Sequence, residues 1–599
     1  MYHLKHIDYR GDIQIYRAIA VLQVLLFHLG ILGFHAGFLG VDIFFVISGY
    51  LMTMLYTPST TPTEFYVRRA RRLMPAYFAA IAFTMIAGYY LTLPTDFRQL
   101  VTQILFASAL LSNIGFWLQN SYFSQAEFNP LLHLWSLGVE CQFYLFFPLL
   151  IFIARKWRLA LSAMGVGSLA LCLWAVLISP KLSFFMLPMR VWEFAIGMWA
   201  ASQQQRPPEQ IWLGLIGVAG MLLIPLLHVQ GDDSSIIMGH PALAALFVAC
   251  ATGMALLFRL PENLIDSFIG KLLQRIGNVS YSLYLVHWPI LVLAHYVPFG
   301  GTRTNISGIT DIIVCAALIV VATLLLYFFF ERAGAWLFSP LRIVFVAFLL
   351  ASFALVLEHF QLQRFDKGDN QIFAAWTDRA TYRCGKMFRL MHPRKTICPI
   401  GDGDKGNVFL IGDSKSDSIK QAFALQASRV GLATYFAVDN DPLITPGLDG
   451  QWLLKVAHSN GARAVFLHYS IGNLRLPLIE EARRALANSG ITLFLVLPTP
   501  EYSGNVPHQL YRSRHGGGHF NTENLSEYRR EVSKVTIYLH NTPDIKVIDV
   551  APLFCKPQCR VADAMGNVFY FDDEHLTLTG ANVLAPAITA AMNGLASDW

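Results

Sequence analysis

The sequence has few charged residues for its length. Of its 599 residues, 14% are charged and 55% are hydrophobic, whereas soluble proteins carry about 25% charged residues. This deficit excludes an ordinary soluble protein and indicates a membrane protein with room for two or more domains. The net charge of +6 is modest, and the only dense basic run, "RRARR" at 68–72, lies between apolar segments. We therefore expect no nucleic acid among its partners.

The sequence also lacks internal repeats, low-complexity tracts and the marks of a cleavable signal peptide. Its first apolar run begins after a polar head and has no small-residue cleavage site. We expect that run to remain in the protein as a membrane span.

Cysteines are few and divide evenly between two parts of the chain. Four lie in or near apolar stretches, where cysteine usually acts as a small hydrophobic residue: Cys141, Cys172, Cys250 and Cys315. Four lie in the polar C-terminal part: Cys384, Cys398, Cys555 and Cys559. Disulfides are expected there if that part is extracytoplasmic, with Cys555–Cys559 as the favoured pair and Cys384–Cys398 as the second. The "CKPQC" spacing also occurs in metal sites, but no second close Cys/His pair accompanies it, so we predict no metal.

Long apolar runs dominate the first 358 residues. A membrane-spanning helix needs about 20 mostly apolar residues. Eleven segments meet this description: 13–32, 38–56, 74–93, 137–154, 159–178, 184–200, 210–228, 241–258, 279–297, 311–330 and 340–358. We therefore predict a helical membrane domain of about ten spans over 1–335. A linking span and a linker follow over 336–374.

Charge decides whether a twelfth segment, 98–118, also spans. If the N-terminus is cytoplasmic and this segment does not cross, the basic residues fall on the cytoplasmic side, as the positive-inside rule requires. They are "RRARR", "RKWR" (155–158), Arg206, Arg259, Lys271, Arg275, Arg332 and Arg342. Counting 98–118 as a span would invert everything downstream. We therefore expect it to be re-entrant or surface-lying, which places the chain after residue 358 outside the cytoplasm.

Alternating strands and helices are predicted beyond the linker, over 375–599. The predicted strands are 407–412, 432–438, 463–468, 491–498 and 546–550, and helix-like stretches separate them. Repeated βα units predict a mostly parallel sheet with helices on both faces.

Ser414 follows the first of these strands, at the edge where open α/β sheets bind ligands. Serine needs a base to become a nucleophile, and "YFDDEHLTLTGA" (570–581) offers His575. Asp572 precedes it by three residues, a spacing at which a carboxylate can orient the imidazole. In "SIGN" (470–473), Asn473 could donate a hydrogen bond to an oxyanion. The alternative for Ser414 is a helix N-cap in an ordinary turn.

Together, "GDS", "GN" and "DxxH" resemble the SGNH hydrolase family, a flavodoxin-like fold of esterases and acyltransferases. The resemblance implies a Ser414–His575–Asp572 triad with Asn473 at the oxyanion. One departure is that many members have "GxND" where this chain has "IGNL", without the acidic residue. For the family's oxyanion glycine the candidate is Gly447 in "ITPGLDG".

Ionisable residues inside the apolar segments are functional candidates, because each costs about 2.5–3.5 kcal/mol to insert. Arg17 and His28 share the first segment, three helical turns apart on nearly the same face and about 16 Å apart along the axis. The others are Asp42, His133, Glu140, Arg190, Glu193 and His287. We expect Arg190 and Glu193 to form a structural ion pair. Two alternatives stay open: His28 could be a core histidine, and "RRARR" could be a headgroup anchor.

Five stretches resemble the acyltransferase-3 family of multi-span membrane acyltransferases, over roughly 8–335. They are "YRAIAVLQVLLFH", "GFLGVDIFFVISGY", "YVRRARRLMPAY", "HLWSLGVECQFY" and "NVSYSLYLVHWP". The resemblance implies acetyl-CoA as the donor on the cytoplasmic side. It implies Arg17 and His28 as the essential pair and Arg69 and Arg71 as phosphate ligands, with Asp42 and Glu140 as weaker candidates. His28 would take a proton from a hydroxyl or carry the acetyl group.

The order of the two domains is similar to bacterial O-antigen and peptidoglycan O-acetyltransferases. The sequence therefore predicts an inner-membrane O-acetyltransferase, surrounded by lipid, that moves acetyl from cytoplasmic acetyl-CoA to an envelope polysaccharide such as the O-antigen of lipopolysaccharide in the periplasm. Ser414 would be the covalent relay. The alternatives are a membrane-tethered carbohydrate esterase and a transporter of acyl groups or glycans. An anchor would not need so many spans with Arg17 and His28 inside them.

Overall fold

The computed structural model describes residues 10–31, 33–119, 127–157, 159–203, 210–229, 231, 233–304, 306, 308–332, 339–385, 388, 391–392, 397–438, 449–518, 520 and 525–596. The chain divides into two compact units, Met1–Gln361 and Leu362–Trp599. Each unit is described by itself.

The described residues of the first unit form helices and the turns between them. The helices are α1 (Gly11–His28), α2 (Gly40–Leu55), α3 (Pro62–Leu91), α4 (Pro94–Ser108), α5 (Ser112–Leu118), α6 (Leu134–Lys156), α7 (Ala160–Ile178), α8 (Pro180–Phe185), α9 (Val191–Ser202), α10 (Ile211–Leu223), α11 (Leu243–Phe258), α12 (Glu262–Ile265), α13 (Phe268–Asn278), α14 (Ser280–Ala294), α15 (Ile309–Leu326) and α16 (Pro340–Gln363). A π-helical segment, Tyr327–Arg332, continues α15.

Six helical segments among the described residues are long and apolar enough to cross a membrane, or seven if the bent pair α13–α14 counts as one span. The six are Gly37–Leu55, Pro62–Leu91, Leu134–Lys156, Ala160–Ile178, Ile309–Arg332 and Leu341–Gln363. The predicted count of about ten spans plus one is therefore not confirmed.

The shortfall has local physical causes. The predicted segment 184–200 is broken, because Pro188 lies in a 3₁₀ turn and α9 begins only at Val191. The helices α10 and α11 are short, at 13 and 16 residues. In α1, the charged side chains of Asp12 and Arg17 lower the mean hydropathy of the helix. The segment 98–118 is divided between α4 and α5, which have 15 and 7 residues, so it forms no continuous span.

Close helix packing in this unit depends on small residues. On α9, a Cβ at Gly197 would overlap the carbonyl oxygen of Val46 on α2. Only glycine allows these two backbones to approach so closely, as at many interfaces between membrane helices. The outer faces of α15 and α16 carry exposed apolar side chains such as Val320 and Phe348, which suits contact with lipid.

The second unit is an α/β domain. Its helices are α17 (Lys367–Ala374), α18 (Ser414–Arg429), α19 (Gly450–Ser459), α20 (Leu476–Leu486), α21 (Val506–Arg514), α22 (Leu525–Glu531), α23 (Ser533–His540), α24 (Ala551–Phe554), α25 (Leu578–Asn582) and α26 (Ala585–Ala596). Its strands are β1 (Cys398–Gly401), β2 (Gly406–Gly412), β3 (Leu432–Val438), β4 (Ala462–His468), β5 (Thr492–Val496) and β6 (Ile545–Ile548).

The sheet has the order β1-β3-β2-β4-β5-β6 and is mixed. The five predicted strands are confirmed as β2 to β6, and all of them pair in parallel. The expectation of a parallel sheet needs one correction, because β1 pairs antiparallel with β3 at the edge. Sequence reasoning missed β1 since its short run contains Pro399 and Gly401, which are disfavoured in strands. The central strand β2 is buried from Val408 to Ile411.

Both predicted disulfides of this unit are present. Cys384 is bonded to Cys398, and Cys555 is bonded to Cys559. The "CKPQC" sulfurs are therefore bonded to each other.

Candidate active sites

Ser414 lies at the carboxyl end of β2, as the first residue of α18. The helix N-cap is Asp413, whose carboxylate accepts a hydrogen bond of 2.9 Å from the Lys415 N–H. The capping alternative therefore belongs to Asp413 and not to Ser414. Gly412 is needed at the strand end, because a Cβ there would overlap the carbonyl oxygen of His468 on β4. The half-buried Ser414 stands at the positive end of the helix, where backbone N–H groups can stabilise an oxyanion.

The Asp413 carboxylate connects this turn to the loop after β4. Its Oδ2 accepts from the Ser470 N–H at 2.9 Å, the Ser470 hydroxyl at 2.7 Å and the Asn473 amide at 2.9 Å. Burial would raise the pKa of Asp413, but the hydrogen bonds from Asn473 and Ser470 outweigh burial and hold that pKa below its usual value. Asn473 thus lies beside the Ser414 turn, with one amide proton used on Asp413. Its amide has two protons, so one is left over for other acceptors.

Asp572 and His575 form the predicted pair. The His575 Nδ1 lies 2.8 Å from Asp572 Oδ2, and Asp572 Oδ1 accepts the backbone N–H groups of Glu574 and His575. Burial would lower the pKa of His575, but the hydrogen bond to Asp572 outweighs burial and raises that pKa. Burial would raise the pKa of Asp572, yet the hydrogen bond from His575 lowers it. The buried His575 Nε2 has no hydrogen-bond partner among the described residues.

Lys415 ties the start of α18 to the loop that carries His575. Its Nζ donates to the Glu574 carbonyl oxygen at 2.6 Å and forms ion pairs with Glu501 at 3.1 Å and Glu574 at 3.7 Å. Sequence reasoning missed Lys415 and Glu501. The available signal was their position: Lys415 is next to Ser414, and Glu501 follows β5 at the same edge of the sheet. Gly447, the oxyanion candidate, lies outside the described residues.

A cavity in the helical unit is lined by residues of several helices. Its charged lining residues are Arg17, Arg69, Arg72 and Glu140. Glu140 accepts hydrogen bonds from the Ser48 and Tyr144 hydroxyls, both of which also line the cavity. The structure therefore brings together three of the predicted residues, Arg17, Arg69 and Glu140.

Arg72, not Arg71, lines this cavity with Arg69. Residues three apart lie on one face of a helix, whereas residues two apart are rotated by about 200°. Within α3, Arg71 therefore lies almost opposite Arg69. Sequence reasoning followed the "RxR" spacing of the family and missed Arg72. The helical period of 3.6 was the signal that could have identified it.

His28 is the last residue of α1, eleven residues after Arg17, and is buried. Its Nδ1 lies 3.1 Å from the Nε2 of His287 on α14. The Nδ1 of His287 lies 2.7 Å from the Tyr284 carbonyl oxygen. Tyr284 also lines the cavity, and its hydroxyl is hydrogen-bonded to Ser136 at 2.7 Å. Tyr284 is thus shared between the cavity and the histidine pair.

Asp42 belongs to a separate buried charge cluster. Arg190 lies 3.1 Å from Asp42, and His240 also lies 3.1 Å from it. The predicted Arg190–Glu193 ion pair is present at 3.2 Å and joins the same cluster. His240 was not predicted, because it lies 198 residues from Asp42 in the sequence. Asp42 does not line the cavity that holds Arg17 and Arg69.

The two parts of the chain match two different protein-family models. Residues 10–328 match the model of the acyltransferase domain of the acyltransferase-3 family. Residues 383–590 match the model of an SGNH domain that is fused to such domains. Both predicted resemblances are thereby confirmed.

Two relatives illustrate the similarity, and one solved structure was also matched. BcsY of Komagataeibacter xylinus, named as a membrane-bound transacylase, is 32% identical over 310 residues, which are 48% of this chain and 75% of that protein. The O-acetyltransferase OatA of Staphylococcus aureus is 31% identical over 312 residues, which are 47% of this chain and 50% of OatA. The periplasmic domain of a lipopolysaccharide acetyltransferase from Salmonella ser. Paratyphi A aligns over 39% of this chain and 99% of its own, with 15% identity and a TM-score of 0.29.

Proposed function

This chain belongs to the acyltransferase-3 family of membrane acyltransferases, and we propose that it moves acetyl groups from cytoplasmic acetyl-CoA to a hydroxyl of an envelope polysaccharide. The acyltransferase domain covers more than half of the chain. Relatives that are named O-acetyltransferases support the O-acetyl product. The second, SGNH domain supplies a serine site that can hold the acetyl group on its way to the sugar.

The observation that carries the proposal is the cavity lined by Arg17, Arg69 and Arg72. Guanidinium groups bind phosphates through paired hydrogen bonds, and coenzyme A carries several phosphates. We place this cavity towards the cytoplasm, where the positive-inside pattern puts the "RRARR" run.

His28 is the proposed point of transfer in the helical unit. A buried imidazole can take the proton of an attacking hydroxyl or carry the acetyl group itself. Arg17 would stand at the donor end of α1 and His28 at the end towards the outside. Their common helix would join the donor side of the membrane domain to its outer side.

In the second unit, we assign the covalent step to Ser414. The Ser414 Oγ attacks the acetyl carbonyl carbon while His575 takes the hydroxyl proton, and the bond to the donor breaks. The donor leaves with that bonding electron pair and takes up the proton from His575. An acceptor hydroxyl then attacks the acetyl-serine, gives its proton to His575, and Ser414 recovers a proton. Asp572 stabilises the imidazolium, and the Ser414 N–H and the second amide proton of Asn473 stabilise the oxyanion.

We further propose that the protein lies in the bacterial inner membrane, with the SGNH domain in the periplasm. The two disulfides of that domain support an oxidising compartment. The distribution of basic residues supports the same orientation. The acceptor is then a polysaccharide outside the cytoplasm, such as the O-antigen.

A membrane-tethered esterase is the second candidate, because the same triad would remove acetyl groups if water replaced the sugar. The arginine-lined cavity favours the transferase, since an anchor needs no such cavity. A transporter would not need the His575–Asp572 pair.

The test is a mass spectrum of the surface polysaccharide from cells that express the wild type, His28→Ala or Ser414→Ala. The transferase predicts acetylated sugar with the wild type and its loss in both variants. More acetyl with Ser414→Ala than with the wild type would favour the esterase instead.

A further inference from the structure

Two consecutive hydrogen bonds link His28 to His287 and His287 to Tyr284. Tyr284 contributes its backbone carbonyl oxygen, 2.7 Å from His287 Nδ1, and His287 Nε2 lies 3.1 Å from His28 Nδ1. The two imidazole rings are nearly parallel, with 20° between their planes and 5.3 Å between their centres. His28 and His287 lie 259 residues apart in the sequence, so the fold alone brings them together.

The donor and the acceptor in each of these two hydrogen bonds can be assigned by starting from the Tyr284 carbonyl oxygen. A carbonyl oxygen can only accept, so His287 must carry a proton on Nδ1 and donate it to Tyr284. His287 is 1% exposed, and the rings that contact it belong to His28, His133 and Tyr284. A charged imidazole in such surroundings is costly. His287 is therefore neutral, its Nε2 bears a lone pair, and His28 must donate from Nδ1.

We propose that His287 is a positioning residue that fixes the tautomer and the ring orientation of His28; this inference rests on the proposed function. With its proton on Nδ1, His28 bears the lone pair on Nε2. Both roles considered for His28, proton acceptor and acetyl carrier, require that lone pair. When Nε2 takes up a proton or an acetyl group, the ring becomes positive and its Nδ1–H bond to His287 strengthens. The arrangement resembles the way in which a third group orients the histidine of a serine triad.

Tyr284 couples this support to the donor cavity. Tyr284 lines the cavity together with Arg17, its hydroxyl is hydrogen-bonded to Ser136, and its backbone carbonyl oxygen accepts a hydrogen bond from His287. The position of His287 is therefore set by the same helical turn that forms the cavity wall. Loss of His287 should disturb the reaction step at His28 without removing a donor contact, because His287 itself does not line the cavity.

The experiment compares His287→Leu with His287→Gln in the full-length protein, reconstituted in proteoliposomes with acetyl-CoA and the surface polysaccharide of the host. The glutamine oxygen can accept from His28 Nδ1, whereas leucine cannot. The release of free coenzyme A, followed with a thiol-reactive dye, reports the rate. We expect kcat to fall about 100-fold in His287→Leu with KM for acetyl-CoA unchanged, and about 10-fold or less in His287→Gln.

The matched control is His295→Leu. His295 follows α14 directly and bonds to the Leu291 carbonyl and to Asp311, away from His28. It should retain wild-type kcat. Equal losses in His287→Leu and His287→Gln, or a raised KM with unchanged kcat, would overturn the inference. If His28→Ala itself is fully active, the proposed function of His28 fails. If His28→Ala is inactive while His287→Leu is active, the inference alone fails.

Discussion

Lys415 and Glu574 are joined by a hydrogen bond of 2.6 Å from the lysine Nζ to the glutamate carbonyl oxygen. This bond connects the residue after Ser414 to the residue before His575. The lysine is 1% exposed and is also paired with Glu501. Lys415 thus connects the segments that carry the proposed nucleophile Ser414 and the proposed base His575, which lie more than 150 residues apart in the sequence.

Lys415→Met should therefore impair the serine site without changing any residue of the proposed triad. We expect hydrolysis of p-nitrophenyl acetate to fall about 10- to 100-fold, because small displacements of reacting groups have effects of that size. The control is Lys405→Met, which removes an exposed lysine ahead of β2 and should not change the rate. Equal rates in both variants would show that Lys415 does not position the site.

The arginines of α3 should differ in their effect on donor binding. We expect Arg69→Ala and Arg72→Ala to raise KM for acetyl-CoA about 10-fold or more, since each removes charged hydrogen bonds to phosphate worth about 1.5–3 kcal/mol. Arg71→Ala removes the same charge from the same run and is the matched control. Initial rates in inverted membrane vesicles measure the difference. A larger effect of Arg71→Ala than of Arg72→Ala would place the donor elsewhere.

The pH dependence of the serine site should follow His575. Its pKa is raised, chiefly by Asp572 acting against burial. The base must be unprotonated, so ester hydrolysis should fall as the pH drops through that raised pKa. In Asp572→Asn the raising charge is lost, and the acidic limb should move to lower pH while the maximal rate falls about 100-fold or more. A limb that stays in place would show that Asp572 does not set the charge state of His575.

Asp413→Ala should destabilise the second unit. The substitution removes a helix cap, worth about 1 kcal/mol, and leaves the amide of Asn473 and the hydroxyl of Ser470 without their acceptor. We expect a loss of about 2–4 kcal/mol in the free energy of unfolding, seen as earlier cleavage of this unit in pulse proteolysis. Asp402→Ala, at an exposed position before β2, should be neutral. The pKa of Asp413 is depressed, so its stabilisation should be lost as the pH falls through that lowered value.

Elements of the fold could be predicted where a short stretch of sequence specifies them by itself. Strands β2 to β6 are apolar runs bounded by turn residues, whereas β1 contains Pro399 and Gly401 and depends on pairing with β3. The predicted count of spans is not confirmed, because polar residues lower the hydropathy of α1 and the segment 184–200 is broken at Pro188.

In the candidate sites, too, contacts between residues close in the sequence could be predicted, whereas contacts between distant residues could not. Asp572 and His575 are three residues apart, so their hydrogen bond could be predicted from spacing. The pairs His28–His287 and Asp42–His240 join residues 259 and 198 positions apart, and no local pattern indicates them. Arg72 is an intermediate case. The basic run that contains it is visible in the sequence, but deciding that Arg72 and not Arg71 faces the cavity requires the helical period of α3.

The central claim is that acetyl reaches Ser414 by way of the helical unit. Proteoliposomes that contain the full chain would receive labelled acetyl-CoA at the face that we assign to the cytoplasm, and peptide mapping would locate the label. The account predicts labelled acetyl on Ser414 in the wild type, and none on this residue in His28→Ala or Ser414→Ala. Labelled Ser414 in His28→Ala, or an acetylated polysaccharide without any label at Ser414, would contradict it.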